Sequence, residues 1–196
     1  MPLSRSATVA RVDSLAPPDP PLTDGTVSLR AFRDSDAGAL AVMMDDPEIA
    51  RWVASIPRPY RDRDAVEWLG THADLMRDGS ALPLAVVDAR SDELLGSFGL
   101  RMREDERGEL GYSLARWTRG RGLGRRALTL YARFAFEALG LQRIEVLALP
   151  ANGRSLALAE AVGFQREGVM RSWRVMRGAR ADMVMLSLLP GELVGG

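Results

Sequence analysis

A short run rich in glycine and arginine, Arg119-Gly-Arg-Gly-Leu-Gly124, most constrains how this chain of 196 residues can fold. It follows a predicted strand over residues 109–114. It precedes a segment with the period of an amphipathic helix, whose apolar face carries Leu123, Ala127, Tyr131, Phe134 and Ala138. Glycines let successive backbone N–H groups point in one direction, and a helix N-terminus adds a partial positive charge. This order predicts a cradle for an anion such as pyrophosphate.

The glycine spacing limits which phosphate ligand this turn can bind. It does not match G-x-x-x-x-G-K-[S/T], which excludes a P-loop. It does not match G-x-G-x-x-G either, and the preceding strands form a meander instead of a βαβ unit, so a nicotinamide cofactor is a poor fit. Guanidinium groups surround the turn, from Arg119, Arg121, Arg125 and Arg126. Taken alone, the spacing fits equally well a glycine-containing loop beside a solvated arginine edge.

Periodicity along the chain predicts the order strand, helices, three-strand meander, helix, strand, helix and two closing strands. That order indicates an α+β domain with a mixed sheet, in which residues 64–76 form one helix. A single domain is expected over residues 22–190, because 46% of the chain is hydrophobic and its length suits one core. Clustered prolines predict a disordered tail over residues 1–21, and residues 191–196 form a C-terminal tail.

Composition excludes several functional classes. The chain has no cysteine, one histidine (His72) and no lysine, which excludes disulfides, a cysteine nucleophile and thiolate or histidine-rich metal sites. Charges balance at 26 basic and 26 acidic residues, so neither nucleic acid nor membrane is an expected partner. The sequence shows no signal peptide or spanning run, which favours the cytoplasm. His72 is expected on the surface or as a hydrogen-bonded core residue.

Several separate segments resemble the GCN5-related N-acetyltransferase (GNAT) superfamily, in its RimJ/RimL-like branch. Arg119 to Gly124 matches the [Q/R]-x-x-G-x-[G/A] acetyl-CoA motif, and Asn152 to Phe164 is similar to the N-x-x-S-x-x-x-x-x-x-x-G-F segment. Further matches are Val27-Ser-Leu-Arg30, Asp34-Ser-Asp36, Asp46-Pro47, Glu109-Leu-Gly-Tyr112 and Asp182. The resemblance covers residues 22–190, and the order and spacing of the segments make it specific.

The resemblance implies the acyl-CoA N-acyltransferase fold. This fold is a mixed, largely antiparallel sheet of six to seven strands, with helices on both faces and a V-shaped splay between the two central strands. It implies a bacterial enzyme, a monomer or homodimer, that moves the acetyl group of acetyl-CoA to an amine by direct attack in a ternary complex. The expected acceptor is the N-terminal α-amine of a protein or peptide. The alternatives are a small-molecule amine, such as an antibiotic or polyamine, and an inactive acyl-CoA-binding module.

The resemblance also implies site residues. Cofactor contacts fall on the strand, the loop and the next helix: Tyr112, Ser113, Leu114, Arg119, Gly120, Arg121, Gly122, Leu123, Gly124, Arg125, Asn152 and Ser155. Glu109 is the candidate general base, or alternatively a surface carboxylate paired with an arginine. Ser155 is the candidate partner of the leaving thiolate, or alternatively a first-turn helix residue bonded to backbone.

This sequence departs from the family at one point. Many members carry a tyrosine acid where Ala159 stands here, so Tyr112 is a second candidate acid, although a strand tyrosine more often serves packing. The acidic turn of Glu104, Asp105 and Glu106 holds weaker candidate bases. Trp52 and Trp173 are expected to flank the acceptor side.

Overall fold

Eight strands and six α-helices make up the part of the chain that the structure, a computed structural model, describes: residues 14–53 and 56–194. The strands are β1 (Leu22–Thr23), β2 (Val27–Arg30), β3 (Ala81–Asp88), β4 (Leu94–Arg103), β5 (Arg107–Leu114), β6 (Arg143–Ala148), β7 (Gln165–Met176) and β8 (Ala179–Leu188). The helices are α1 (Ala37–Met44), α2 (Pro47–Trp52), α3 (Asp62–Gly70), α4 (His72–Arg77), α5 (Leu123–Glu137) and α6 (Gly153–Val162).

All eight strands form one mixed sheet in the order β1-β2-β3-β4-β5-β6-β8-β7. Every neighbouring pair is antiparallel except β5 and β6, which run parallel. The predicted α+β fold is confirmed, with one strand more than the six to seven expected. The additional strand is β1, whose two residues are too few to show an alternating pattern.

The central pair β5 and β6 is joined over a short stretch only. Arg107 to Glu109 pair with Arg143 to Glu145, and beyond that point the two strands have no common register. The rest of β5 keeps β4 as its one strand neighbour, and the rest of β6 keeps β8. The sheet therefore opens into a V whose vertex lies at Glu109 and Glu145.

Apolar side chains on both faces of the sheet are buried under helices. One cluster packs α5 and α6 on the strands around Phe98, Leu110 and Tyr131. A second cluster packs α1, α2 and α3 on the opposite face around Leu40, Ile49 and Ala85. The predicted layering, with helices on both faces, follows from these two cores. No helix within residues 14–53 and 56–194 has the length and apolar character needed to cross a bilayer.

The ends of the domain pack more closely than predicted. Of the tail expected to be disordered, residues 1–13 lie outside the described residues. Residues 14–21 lie against the domain: Leu15 is buried, and its N–H donates to the carbonyl of Met76 at 2.7 Å. Near the other end, the N–H of Val194 donates to the carbonyl of Val162 at 3.0 Å. Proline clustering predicts an extended conformation, and it does not reveal that such a segment carries a buried anchor.

The predicted helix over residues 64–76 is two helices, α3 and α4, which meet at Thr71. His72 begins α4, and its ring lies edge-on to Trp68 and Phe32, with centroids 4.2 and 5.2 Å away. The side chain is buried, and Nε2 has no hydrogen-bond partner among the described residues. His72 is therefore a core residue, but without the hydrogen bond that the sequence-based expectation assumed.

Burial lowers the pKa of His72 from 6.5 to about 4. Below pH 6.5 the unfolded chain binds a proton that the folded protein does not, so stability should fall as the pH drops from about 6.5 to about 4 and then level off. We expect a loss of about 2 kcal/mol between pH 7 and pH 5. Urea unfolding at the two pH values measures it.

His72→Phe is the matched control for this effect, because it keeps an aromatic ring beside Trp68 and cannot titrate. Since the chain has one histidine, its imidazole NMR signals report the folded-state pKa directly. An imidazole that titrates near pH 6.5 in the folded protein would contradict the prediction.

Candidate active site

The glycine-rich loop forms a backbone cradle at the N-terminus of α5. Gly120 and Gly122 have φ of 74° and 73°, and Gly122 is the N-cap residue of the helix. No described side chain caps α5, so its first N–H groups point outward without a partner. A Cβ built on either glycine meets no atom within 4 Å, which means that a side chain would occupy the space of the cradle. The loop fits a phosphate group.

Gly124 has a different role from the two glycines before it. Its φ is not positive, and a Cβ there would lie 2.5 Å from Cδ1 of Leu114. Gly124 therefore permits close packing of α5 on the end of β5, whereas Gly120 and Gly122 shape the cradle.

The arginines around the loop divide into two groups. Arg119 turns away from the cradle and binds Asp46 at 2.6 Å and Glu48 at 2.7 Å, both at the start of α2. Arg126 binds Asp24 at 2.8 Å. Exposed guanidinium groups without a carboxylate partner in the described chain remain at two positions, Arg121 and Arg125. Two of the four predicted guanidinium groups are thus available to a phosphate.

A slot of about 130 Å³ lies between the end of β5, α6 and α2, next to Arg119 at the start of the glycine-rich loop. One wall is the end of β5, with Tyr112, Ser113 and Leu114, and the other is the start of α6, with Asn152 and Ser155. Helix α2 closes the slot with Ile49, Trp52 and Val53. The structure therefore brings the predicted strand and helix residues to one cavity.

Ser155 and Tyr112 form a hydrogen-bonded pair in the slot. The Ser155 hydroxyl donates to the Tyr112 oxygen at 3.1 Å, and the Tyr112 hydroxyl donates to the Ser155 carbonyl at 2.9 Å. Burial raises the pKa of Tyr112 to about 12, with the serine bond acting in the opposite direction, so this phenol keeps its proton at neutral pH. Asn152 caps α6 by accepting from the N–H of Ser155. Two hydroxyl groups are thus held in fixed positions in the slot.

Glu109 lies at the vertex of the V. Its carboxylate accepts from Arg103 at 2.6 Å and from Arg174 of β7 at 2.8 Å, so both oxygens are engaged. Burial would raise the pKa of Glu109, but the two arginine bonds and charges outweigh it and hold the pKa below its usual value. The arginine pairing named as the alternative is present in the structure, and a catalytic role requires Arg174 to release one oxygen.

Sequence reasoning missed the carboxylates of α2. Glu48 lines the slot and joins Arg119 of the loop to Arg154 of α6. The Asp46-Pro47 pair was noted as a family segment, but its ion pair with a loop 73 residues away was not predicted.

The weaker candidates Glu104, Asp105 and Glu106 are exposed in the β4–β5 turn. Trp52 lines the slot, and Trp173 is half-exposed on β7. No group of three metal-ligating side chains occurs in the described part of the chain.

If Ser155 partners the leaving thiolate, as the family resemblance implies, Ser155→Ala should lower kcat by roughly tenfold. This is less than the 10²–10⁴-fold usual for general acid–base catalysis, because a thiolate is already a fair leaving group. Thioesters with more acidic thiols should restore most of the lost rate in this variant. Steady-state kinetics with a series of acyl thioesters make the measurement. A variant that melts earlier but keeps its kcat would assign Ser155 a structural role only.

Comparison with known proteins identifies the family. The model of the acetyltransferase (GNAT) domain matches residues 26–165. An N-acetyltransferase named p20 from Bacillus licheniformis is 31% identical over 175 residues, covering 86% of this chain and 96% of the relative. The [ribosomal protein uS5]-alanine N-acetyltransferase of Escherichia coli is 29% identical over 131 residues, covering 65% of this chain and 68% of the relative.

Solved structures show the same fold. RimJ of Mycobacterium smegmatis, in complex with CoA-disulfide, superposes with a TM-score of 0.78 at 23% identity, over 92% of this chain and 89% of that one. The microcin C7 self-immunity acetyltransferase MccE, in complex with acetyl-CoA and AMP, gives a TM-score of 0.76 at 18% identity, over 85% and 93%.

The fold and its slot define an acyl-CoA-dependent acyltransferase. The chain belongs to the GNAT family of acetyltransferases, and its relatives include RimJ-like enzymes. Members of this family use acetyl-CoA as the acetyl donor.

Proposed function

We propose that this enzyme acetylates the N-terminal α-amine of a protein or peptide, with acetyl-CoA bound in the slot between β5 and β6. The observation that carries the cofactor part is that β5, which borders the open V, leads directly through the glycine-rich loop into α5. The cradle offers N–H groups to a phosphate, and the divergent strands offer unpaired backbone groups to an amide-containing arm.

Each part of the site has a role in this proposal. The backbone from Arg119 to Arg125 holds the pyrophosphate, with Arg121 and Arg125 as its available cations. The end of β5 pairs with the arm, and a backbone N–H near Ser113 stabilises the oxygen of the reacting carbonyl. Acetyl-CoA supplies the acetyl thioester. Direct transfer needs no acyl-enzyme, which agrees with the absence of cysteine from the chain.

We assign proton transfer to two side chains: Ser155 lines the slot, and Glu109 lies at the vertex of the V, outside the residues that line the slot. We assign Glu109 as the base that accepts a proton from the acceptor ammonium, directly or through water, after Arg174 releases one carboxylate oxygen. Ser155 turns its hydroxyl proton from the Tyr112 oxygen to the departing thiolate and donates a hydrogen bond to it. Most of the rate enhancement then comes from positioning two substrates in line.

One relative supports an α-amine over other acceptors. The E. coli relative is named for N-acetylation of an alanine of ribosomal protein uS5. Because alanine has no side-chain amine, an acceptor of this kind is an α-amine. Small amines such as antibiotics or polyamines are the competing acceptors.

The test combines binding and turnover. Acetyl-CoA should raise the melting temperature by mass action, with affinity in the micromolar range, whereas NADH and ATP should not. A panel of peptides with free and blocked N-termini, together with polyamines and aminoglycosides, then reports the acceptor by mass spectrometry. Because the chain contains no lysine, side-chain self-acetylation adds no background. Turnover confined to small amines, or no turnover despite acetyl-CoA binding, would contradict the proposal.

A further inference from the structure

One carboxylate of α2 joins two other elements that border the slot. Glu48 is the second residue of α2, and its two oxygens bind arginines of different elements. Oε2 accepts from Arg119 of the glycine-rich loop at 2.7 Å, and Oε1 accepts from Arg154 in the first turn of α6. Because all three side chains line the slot, the bond between Glu48 and Arg154 connects the α2 side to the α6 side along its boundary.

The bond between Glu48 and Arg119 is supported by further contacts. Arg119 also binds Asp46 at 2.6 Å and donates to the carbonyl of Leu114 at 3.2 Å, and its side chain is only 25% exposed. Asp46 is in turn the N-cap of α2, since its carboxylate accepts from the N–H of Glu48. Two carboxylates therefore fix the start of α2 to the glycine-rich loop.

The bond between Glu48 and Arg154 has no such support. The Arg154 side chain is 76% exposed, and Glu48 is its one hydrogen-bond partner among residues 14–53 and 56–194. Exposed ion pairs between long side chains contribute little to stability, so this pair opens and closes readily. The end of α2 is held as well, because Arg177 of the β7–β8 turn donates to the carbonyl of Ala50. With α2 fixed at both ends, the movable part is the Arg154 side chain.

We propose that Glu48 is a positioning residue that forms, with Arg154, a side-chain clasp over the slot, and that this clasp controls the entry and exit of acetyl-CoA. The inference rests on the proposed function, which places the amide-containing arm of acetyl-CoA in this slot. When the clasp is closed, the arm is enclosed between Trp52 of α2 and Leu114 of β5. When Arg154 turns into solvent, the boundary between α2 and α6 admits or releases the arm.

The lining of the slot explains why an ionic clasp is useful. Beside the charged groups, the slot is lined by five apolar side chains, those of Ile49, Trp52, Val53, Leu114 and Leu158. Apolar contacts are not directional, so they exclude water without fixing where the arm lies. An ion pair between two set positions on α2 and α6 defines the boundary within which the arm must lie.

Binding of the acceptor ammonium is the competing role for Glu48. Both oxygens of Glu48 already accept from guanidinium groups, which neutralise the carboxylate. Arg154 also places a positive charge at the same boundary, so an ammonium would be repelled there. The clasp therefore fits the contacts of Glu48 better than an acceptor site does.

The first experiment measures the rates of acetyl-CoA binding to Arg154→Gln by stopped flow. Tryptophan fluorescence reports occupancy, because Trp52 lines the slot. The association and dissociation rate constants should both rise by roughly fivefold, the upper range for loss of an exposed ion pair, with little change in Kd. Both rise because the clasp is open more often in the free protein and in the complex. Arg154→Lys, which keeps a cation of similar reach, should restore the wild-type rates.

Arg166→Gln is the matched control. Arg166 forms a comparably exposed ion pair with Glu160, at 2.9 Å, near the other end of α6, and neither residue lines the slot. The control should change the melting temperature about as much as Arg154→Gln does, but it should leave both rate constants unchanged. Equal rate changes in the two variants would assign the Arg154 effect to the stability of α6 and overturn the clasp.

A second experiment closes the clasp covalently. Because the chain has no cysteine, a short bismaleimide can join the two thiols of a Glu48→Cys/Arg154→Cys variant without other products. Cross-linking the free protein should remove the fast phase of acetyl-CoA binding. Cross-linking the complex should retain acetyl-CoA through gel filtration. The same variant treated with N-ethylmaleimide, which modifies both thiols without joining them, should bind and release acetyl-CoA rapidly.

The outcomes separate the clasp from the proposed function. No binding of acetyl-CoA to the wild-type protein would contradict the cofactor part of the proposed function, and the clasp with it. Binding at wild-type rates in Arg154→Gln, or free exchange of acetyl-CoA in the cross-linked protein, would overturn the clasp alone. Faster dissociation with unchanged association in Arg154→Gln would make Arg154 a direct contact of acetyl-CoA and would also overturn the clasp.

Discussion

Replacing Gly122 with valine should abolish acetyl-CoA binding, with a loss of affinity of at least roughly 100-fold. The valine side chain would extend into the open space of the cradle, where no atom of the described chain lies within 4 Å of a Cβ. It would also disfavour the φ of 73° that orients the N–H groups of the loop. Charge-assisted hydrogen bonds contribute about 1.5–3 kcal/mol each, so losing one or two accounts for this magnitude. Isothermal titration with acetyl-CoA provides the measurement.

Gly140→Val is a matched control for backbone strain. Gly140 has a φ of 70° and open space around its Cβ, but it follows the other end of α5. The Gly140→Val variant should lower the melting temperature to a similar extent as Gly122→Val, but it should leave the affinity for acetyl-CoA unchanged. Gly124→Val should differ from both, since its Cβ would clash with Leu114 and destabilise the packing of α5. Wild-type affinity in Gly122→Val would refute the cradle.

Glu109→Gln should lower kcat by roughly 10²–10⁴-fold, the span of general base catalysis, with little change in acetyl-CoA affinity. The variant to compare with it is Arg174→Gln, which breaks the same ion pair but keeps the Glu109 carboxylate. The Arg174 guanidinium lowers the pKa of Glu109, so removing it raises that pKa. The acid limb of the kcat/KM profile should therefore move to higher pH in Arg174→Gln while much of the kcat is retained.

The two variants distinguish a base from an anchor. If Glu109 only anchors the hairpin, both substitutions weaken the Glu109–Arg174 contact and should shift the melting temperature and the acceptor KM in the same direction. The acid limb would then stay where it is in the wild-type enzyme. Full activity of Glu109→Gln on the true acceptor would identify bulk water as the base and positioning as the main source of rate.

Local sequence patterns predicted much of this molecule. Strand alternation and helical period predicted the order of elements. The glycine-rich run predicted the cradle, because the conformation of a short turn depends on residues that are adjacent in the sequence. The cap that Asn152 provides to α6 is equally local, since asparagine is favoured just before a helix. The split of the helix at Thr71 was not predicted, since residues on both sides of it suit a helix.

Contacts between distant segments were not predictable in the same way. Arg119 was expected near phosphate and instead binds Asp46 and Glu48, more than 70 residues away. Arg174 reaches Glu109 across 65 residues, and one sequence contains no signal that selects this arginine from the many available. A guanidinium group pairs with the carboxylate that the folded backbone brings near it, so its partner depends on tertiary structure.

The short junction of the sheet has a consequence for its dynamics. Strands β1 to β5 and strands β6 to β8 are two hydrogen-bonded blocks that share three residue pairs, Arg107–Arg143 to Glu109–Glu145. Amide groups on the facing edges beyond this junction lack strand partners and should exchange with deuterium rapidly in the free protein. If acetyl-CoA pairs with one of these edges, it should slow the exchange of the amides there. It should also make the two blocks of strands open together. The shared core under α5 and α6 holds the two blocks together throughout, and the bound substrate adds backbone hydrogen bonds at the edges that the free protein leaves open.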